Sequence, residues 1–351
     1  MKVSVVMTVL DGERFLSEAI ESVLNQSLED FEFLIVDDAS TDETAAILAS
    51  YARRDSRIRV LTNDVVQGPF LSANRALRQA AGDAIARHDA DDVSPSDRFA
   101  VQWAALKSSS RVTLVTGWVE RFGVLDSENE LVKPPPEQSA LEWNLLFSNA
   151  VGAGAHVMFP RVLDDIAVEY PARQRYAEDY ELLCRLAALG TVISPETIVY
   201  RYRQHQHSIT CQRRVEQDEC VSLIRHHRQS MYLGTGVPRS VIDALARFWL
   251  RDGARPLGSN VHRVMSTLGQ LRTAFLVDIA RRHGEPARAI LRRSIHWSTQ
   301  ERIGYWLYRS IRFRDRAAVQ AMFHAASEGD PVRACWSALR HGGLAVRHRL
   351  S

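Results

Sequence analysis

Cysteine is scarce in this chain of 351 residues, and long apolar runs are missing. The four cysteines are widely spaced and form no Cys-x-x-Cys pair, so neither a zinc site nor a disulfide framework is expected. No run of about 18 apolar residues exists, and no membrane-spanning helix is expected. The first apolar run meets charge at Asp11 and is too short for a signal peptide. We therefore expect a cytoplasmic protein, with peripheral contact at the inner face of the cell membrane as an open alternative.

The net charge of +2 conceals two regions of opposite sign. From residue 211 onward there are 24 arginines and 11 acidic residues, a net charge of +13, which leaves −11 for residues 1–210. This split predicts an acidic catalytic domain over 1–210 and an arginine-rich helical region over 211–351. We expect the second region to be a membrane-surface, acceptor or oligomer interface, and a homo-oligomer stays open. Nucleic acid is not expected as a partner, because no recognition motif accompanies the charge.

Short apolar strands alternate with helix-favouring segments in the first hundred residues. Strands are predicted at residues 3–9, 31–36, 58–61 and 84–87, each followed by a turn and a helix. This order predicts an α/β fold with a mostly parallel, Rossmann-like sheet covered on both faces. A further strand is predicted over 112–119, where the pattern becomes less regular. Ligands bind at the carboxyl edge of such sheets, and here that edge would gather six acids: Asp11, Asp37, Asp38, Asp89, Asp91 and Asp92.

Four segments in a fixed order carry a specific resemblance. They are SVVMTVLDGERFLSEAIESVLNQS, FEFLIVDDASTDET, GDAIARHDADDVSPSDR and AEDYELLCRL. Together they resemble the bacterial family-2 inverting glycosyltransferases of GT-A fold, over residues 3–210, with the C-terminal helical region outside the resemblance. The resemblance implies transfer of a sugar from a nucleotide-sugar donor to a hydroxyl of a glycan or lipid-linked acceptor. The family usually acts in the synthesis of cell-surface polysaccharide or lipopolysaccharide.

The pair Asp89 and Asp91 matches the family's Asp-x-Asp motif. A nucleoside diphosphate leaves readily only when its phosphate charge is neutralised, and a hard divalent cation held by carboxylates does this. The resemblance implies that Asp91 binds the metal and that Asp89 contacts the metal or the ribose, with Asp92 assisting. All-oxygen ligation suits Mn²⁺ or Mg²⁺, and the sequence leaves that choice open.

The pair Glu178 and Asp179 matches the family's Glu-Asp motif at the start of a predicted helix. An acceptor hydroxyl must lose its proton as it attacks, so an inverting transferase needs one positioned carboxylate base. The resemblance implies that Asp179 is this base and that Glu178 orients it or contacts the acceptor. The alternative is that both acids are placed there because a helix N-terminus favours negative charge.

The donor nucleotide is expected to contact residues that follow three strands and a later segment. The resemblance implies that Asp37 and Asp38 hold the base and ribose, and Arg87 precedes the Asp-x-Asp motif. The family often has Pro-Val-Tyr-Asn after its first strand, where this chain has Thr8, Val9, Leu10 and Asp11. A UDP-sugar is the first expectation, but because an aromatic residue that could stack on uracil is missing there, dTDP- and GDP-sugars stay open. Contacts to the leaving diphosphate are expected from Arg203 and His205, in a segment that departs from the family at His207 and Thr210.

Two other functions remain open from the residues alone. A sugar-nucleotidyltransferase also uses an α/β sheet, carboxylates and a metal, but it needs a glycine-rich basic loop near the N-terminus, where Gly12 stands alone. A non-catalytic carbohydrate-binding protein on the same fold is the second alternative. The presence of both Asp91 and Asp179 argues against it.

Overall fold

The computed structural model of the chain describes residues 1–123, 130–152, 154–171, 177–206, 208, 212–251, 261–313, 315–327, 334 and 337–338. His207 and Thr210 lie outside the described residues. The chain divides into two compact units. The N-terminal unit comprises Met1–Glu142 and Asn149–Val221, and the C-terminal unit comprises Trp143–Ser148 and Ser222–Ser351.

The described strands of the N-terminal unit form two sheets and a small hairpin. The strands are β1 (Val3–Val9), β2 (Phe31–Asp37), β3 (Ile58–Thr62), β4 (Ala84–Asp89), β5 (Val112–Val115), β6 (Trp118–Gly123), β7 (Glu130–Val132), β8 (Met158–Pro160), β9 (Val162–Leu163), β10 (Ile166–Ala167), β11 (Thr191–Ile193) and β12 (Ile198–Gln204). The helices of the chain are α1 (Leu16–Leu24), α2 (Thr44–Arg54), α3 (Pro69–Leu77), α4 (Arg98–Lys107), α5 (Gln138–Asn144), α6 (Glu178–Leu189), α7 (Arg214–Leu233), α8 (Arg239–Leu250), α9 (Val261–Arg312) and α10 (Arg316–Ser327).

The main sheet has seven strands in the order β11-β5-β8-β4-β1-β2-β3. Strands β4, β1, β2 and β3 pair in parallel, β11 is parallel to β5, and β8 runs antiparallel to both β4 and β5. Every residue of β2 is buried, and β1 is buried except for Thr8, because helices cover both faces of the sheet. The predicted α/β fold is thereby confirmed.

Strand β4 is longer than the sequence pattern predicts. The apolar run ends at Arg87, but pairing with β1 continues through Met7 with His88 and Thr8 with Asp89. A strand can retain polar residues at its carboxyl end when a neighbouring strand still supplies backbone partners. As a result, the chain leaves the sheet only after Asp89, which places the next acidic residues beyond the sheet edge.

The predicted strand over 112–119 is two strands that belong to different sheets. Strand β5 lies in the main sheet, whereas β6 pairs in parallel with β12 and antiparallel with β7 in a three-stranded sheet. The chain turns between them at Gly117, which has φ of 150° and lies against Val199 so closely that a Cβ would be 2.6 Å from its methyl groups. Only glycine fits this turn, and the prediction of one continuous strand is wrong for that reason.

The C-terminal unit is helical, as predicted. Its core includes the rings of Trp143, Phe147, Trp249 and Phe275, whose contacting pairs have centroids 5.0 to 5.4 Å apart. Helix α9 is interrupted at Gly284, where φ is 84°, at the break that the sequence predicts. Within the described part of the chain, no helix has the length and apolar character needed to cross a membrane.

Candidate active site

A cavity of about 1190 Å³ opens at the carboxyl edge of the main sheet in the N-terminal unit. Parallel strands deliver the residues that follow them to this edge, which explains why residues distant in sequence meet there. Three of the predicted site residues, Asp37, Glu178 and Arg203, are not among the residues that line it. The others do line it: Thr8, Leu10, Asp11, Asp38, Arg87, Asp89, Asp91, Asp179 and His205.

A cluster of three carboxylates lies at the end of β4. Ligand atoms of Asp89, Asp91 and Asp92 lie within 4.8 Å of one another. The backbone N–H of Asp89 donates to the hydroxyl of Tyr200 at 3.0 Å, and His205 Nε2 lies 2.9 Å from Asp91 Oδ2. Strand β12 therefore supplies partners that hold the acidic cluster in place.

The three carboxylates interact unfavourably in the absence of a cation. Burial raises the pKa of Asp89 to about 6; Arg87 opposes this shift, and the charges of Asp91 and Asp179 add to it. Burial also raises the pKa of Asp92 well above its ordinary value, with further contributions from Asp91 and Asp89. Oδ2 of Asp92 is buried without a hydrogen-bond partner among the described residues. A divalent cation would relieve this repulsion, so the residues present fit a hard metal ion.

Arg87 is a buried cation that pairs with a member of the acidic cluster. Its side chain donates to the carbonyl of Val6 at 2.6 Å and to Asp89 Oδ1 at 3.2 Å. The guanidinium also lies 5.9 Å from the centroid of Tyr170, another residue of the cavity wall. Burial opposes the charge of Arg87, but Tyr170 and Asp89 together raise its pKa. Arg87 is therefore a fixed positive charge at the floor of the cavity.

Asp179 is half-buried in the first turn of α6 and faces the cavity. Burial raises its pKa, although hydrogen bonds from backbone N–H groups of the helix N-terminus oppose the shift. Asn149 Nδ2 donates to Asp179 Oδ2 at 3.4 Å. Gly154 also lies against this side chain, since a Cβ at Gly154 would overlap Oδ2 of Asp179 and lie 2.7 Å from its Cβ. The absence of a side chain at Gly154 thus creates the space that Asp179 occupies.

Glu178 is buried beside Asp179, and its Oε2 accepts the backbone N–H of Ala177 at 3.0 Å. It therefore stabilises the start of α6 and presents no surface to the cavity. Asp37 is buried in the same way, at the end of β2, and its Oδ1 accepts the N–H of Ser40 at 3.0 Å.

Asp38 organises the loop between β3 and α3. Its two oxygens accept hydrogen bonds from the side chains of Asn63 and Ser72 and from the backbone of Gln67 and Gly68, at 2.7 to 2.9 Å. Burial raises the pKa of this carboxyl, but the four donors outweigh burial, and the net effect lowers it. Asp38 is therefore ionised and rigid.

Asp11 joins the loops that follow β1 and β2. It has φ of 49°, a left-handed conformation that aspartate tolerates better than most residues. Its Oδ1 accepts the N–H of Thr41 at 2.7 Å, and its own N–H donates to Ser40 Oγ at 3.0 Å. Next to it, Leu10 is exposed, and its side chain together with that of Thr8 lines the cavity.

Arg203 does not line the cavity, but it forms hydrogen bonds with two residues of the acidic cluster. Its guanidinium lies between two rings, 4.6 Å from the centroid of Phe15 and 4.5 Å from that of Phe122. Its Nε donates to the carbonyl of Asp91 at 2.8 Å, and its backbone N–H donates to Asp92 Oδ1 at 2.7 Å. These contacts fix the loop that carries both aspartates.

Residues 4–162 match the family model described as glycosyl transferase family 2. Residues 4–162 are therefore a glycosyl transferase family 2 domain. The family and the enzyme class predicted from the sequence, a glycosyltransferase, are confirmed. The sugar-nucleotidyltransferase alternative is accordingly not retained.

Several curated relatives of this family-2 glycosyltransferase are moderately similar to it. An uncharacterised glycosyltransferase of Haemophilus influenzae is 26% identical over 254 residues, which are 70% of this chain and 78% of the relative. The putative glycosyltransferase EpsE of Bacillus subtilis is 42% identical over 127 residues, 35% of this chain and 46% of EpsE. WfgD of Escherichia coli, named as a UDP-Glc:alpha-D-GlcNAc-diphosphoundecaprenol beta-1,3-glucosyltransferase, is 27% identical over 211 residues, 59% of this chain and 79% of WfgD.

Two solved structures share the fold at low sequence identity. Residues 1–349 of S. aureus TarS, in complex with UDP-GlcNAc, superpose with a TM-score of 0.53 at 18% identity, covering 82% of this chain and 89% of that one. The mannosyltransferase PcManGT of Pyrobaculum calidifontis, in complex with GDP-Man and Mn²⁺, gives 0.52 at 18% identity, covering 95% and 87%. These likenesses establish the fold of the family-2 glycosyltransferase.

Arg98 supports the site and was not predicted to do so from the sequence. Arg98 follows Asp97 in a pattern that predicts an ion pair at a helix start, but its side chain is directed into the core. It donates to the carbonyls of Arg87 at 2.7 Å and Ala155 at 3.2 Å and lies 4.9 Å from the ring centroid of Tyr200. Burial lowers the pKa of Arg98 to about 10. A buried arginine gives no local sequence signal, because its partners lie far along the chain.

Proposed function

We propose that the protein is a metal-dependent, inverting glycosyltransferase that moves a sugar from a nucleotide-sugar to a hydroxyl of a cell-surface glycan or its lipid-linked precursor. One observation carries the proposal: a carboxylate cluster suited to a metal diphosphate and a separate carboxylate suited to a base face one cavity. The proposal assigns catalysis to residues 1–210. WfgD supports a lipid-linked acceptor through its name.

The metal in this proposal is Mn²⁺ or Mg²⁺. Asp89, Asp91 and Asp92 would hold it, with His205 close to Asp91. Bound there, the ion would neutralise the charge of the departing diphosphate. The crystallised complex of PcManGT with Mn²⁺ supports the choice of a divalent ion.

Asp179 removes the proton from the acceptor hydroxyl. The hydroxyl oxygen then forms a bond to the anomeric carbon while the bond from that carbon to the diphosphate oxygen breaks, so the configuration inverts once. The elevated pKa of Asp179 makes its carboxylate a stronger base than an ordinary aspartate. Asn149 donates a hydrogen bond to the carboxylate, Gly154 leaves room for it, and the fixed charge of Arg87 keeps the floor of the cavity positive.

The donor nucleotide is assigned to the wall formed by the loops after β1 and β2. Asp38 and Asp11 are rigid there, and Thr8 and Leu10 face the same space. Asp37 and Arg203 act in this proposal by supporting these loops. A UDP-sugar is the first choice, as in the TarS complex, and a GDP-sugar, as in the PcManGT complex, or a dTDP-sugar is the alternative.

A donor panel with three variants tests the proposal. Nucleoside diphosphate release is measured with UDP-, dTDP- and GDP-sugars, with Mn²⁺, Mg²⁺ or a chelator, for the wild type, Asp91→Asn, Asp179→Asn and Asp83→Asn. Asp83 is exposed and does not line the cavity, so its variant is the matched control. We expect turnover of one donor that requires metal, weaker donor binding in Asp91→Asn, and donor binding without turnover in Asp179→Asn. Turnover that survives chelation, or in Asp179→Asn, would overturn the assignment.

A further inference from the structure

The second half of helix α9 has an unusual composition. Residues 286–300 contain three arginines and one histidine and no acidic residue. Leu291, Ile295 and Thr299, spaced four apart, are buried on one side of the helix. Ile290 and Trp297 lie seven residues apart, which is about two helical turns, and they are 41% and 47% exposed. Two large apolar side chains therefore share the outward face of this helix.

The charged residues on this outward face are positive. Arg293, three residues after Ile290 and four before Trp297, lies on the face itself, and Arg292 and His296 lie on its flanks; all three are exposed. The acids elsewhere on α9 already have partners: Asp278 pairs with two arginines, Glu285 with Arg288, and Glu301 with Arg251. In the part of the chain that the structure describes, no ion pair joins Arg292 or Arg293 to a carboxylate. The face thus keeps its positive charge.

We propose that this surface, the Ile290–Trp297 face, docks on a membrane surface rich in anionic lipid. An amphipathic helix lying in the headgroup layer buries apolar side chains to the depth of the acyl boundary and places arginines beside lipid phosphates. Tryptophan suits this layer because its ring is apolar and its indole N–H is polar. Ile290 and Trp297 supply the apolar contacts, and Arg292 and Arg293 supply the positive charge.

Two other occupants fit the face less well. A second copy of the chain, packed on it symmetrically, would place arginines against arginines without a carboxylate between them. A nucleic acid strand would gain little stacking, because residues 286–300 contain no tyrosine or phenylalanine and no tryptophan besides Trp297. The docking surface goes beyond the proposed function and does not depend on it, because it concerns residues that do not line the cavity.

Flotation of the full chain with lipid vesicles tests the docking. Vesicles of phosphatidylcholine alone are compared with vesicles that also contain phosphatidylglycerol, at low and high salt. We expect binding only to the anionic vesicles and weaker binding at high salt. The double variant Arg292→Glu, Arg293→Glu should bind the anionic vesicles at least roughly 30-fold more weakly than the wild type does. Trp297→Ser should bind the anionic vesicles several-fold more weakly at both salt concentrations, because salt does not screen the apolar contact.

Two control variants test whether vesicle binding depends on the Ile290–Trp297 face itself or only on the overall charge and exposed apolar surface of the protein. Arg53→Glu with Arg54→Glu makes the same charge change on exposed residues of α2, and Val65→Ser removes an exposed apolar side chain. Both should bind vesicles like the wild type, and all variants should keep the wild-type melting temperature. Equal weakening by the control pair would overturn the proposal. So would tight binding to a short single-stranded RNA, or a change of oligomeric state in sedimentation caused by the charge reversal.

Discussion

Both units have hydrophobic cores, but they differ in what else they bury. The N-terminal unit buries ionisable side chains beside its cavity, namely Arg87, His88, Asp92 and Arg98. The C-terminal unit buries large aromatic side chains, namely Trp143, Phe147, Trp249, Phe275 and Trp306. Buried charge costs free energy unless it is compensated, whereas buried aromatic surface stabilises directly. The comparison indicates that the first interior is arranged for a reaction and the second for stability.

The largest expected effect is at Asp179. Asp179→Asn should lower turnover at least about a thousandfold, because the amide cannot accept the acceptor's proton. The same variant should raise the melting temperature at pH 7, since burial raises the pKa of Asp179 and so penalises the charged form. A steady-state assay and a thermal melt measure the two effects. A lower melting temperature of Asp179→Asn would contradict the inference that the charged carboxylate of Asp179 destabilises the N-terminal unit.

The next effect concerns the aromatic interior. Trp249 stacks on Phe147 at 5.0 Å, and its indole N–H donates to Asn144 Oδ1 at 3.0 Å. Trp249→Ala should cost about 3 to 5 kcal/mol of unfolding free energy, as for other buried aromatic side chains. Denaturant unfolding measures the loss. The exposed Val65→Ala is the control and should change stability by about 0.5 kcal/mol or less.

A smaller effect is expected at Gly154. Gly154→Ala should lower kcat about a hundredfold while donor affinity stays unchanged, because the added Cβ displaces the carboxylate of Asp179. Gly236→Ala is the matched control, since a Cβ at Gly236 meets nothing within 4 Å. Donor titration and kcat are measured for both. Equal effects on the two kinetic quantities would indicate a general structural defect.

The smallest effect is a displacement of the pH profile. Because the pKa of Asp179 lies above 3.8, its carboxylate is protonated at higher pH than an ordinary aspartate. As pH falls through this pKa, kcat at saturating substrates should fall tenfold per pH unit. A kcat that stays constant down to about pH 4 would show that an unperturbed carboxyl, or none, acts as base.

The sequence predicts the acidic part of the site well and its supports poorly. Asp89, Asp91 and Asp38 could be predicted because each follows an apolar strand, and parallel strands bring such residues to one edge. Tyr200 could not be placed there, because its contact with Asp89 spans 111 residues of chain. The turn at Gly117 was missed for a related reason, since a glycine inside a valine-rich run does not reveal which sheet each half joins.

The reversed direction of β8 allows one wall of the cavity to vary separately from the rest. Because β8 is antiparallel to β4, the residues before it, and not after it, reach the catalytic edge, where the N–H of Arg87 donates to the carbonyl of Val157 at 3.1 Å. The segment that carries Gly154 therefore enters from outside the sheet. Insertion of one residue before Val157 would move Gly154 away from Asp179 and leave every pairing of β4 intact. This wall of the cavity can thus change shape on this fold while β4 and its acidic cluster stay unchanged.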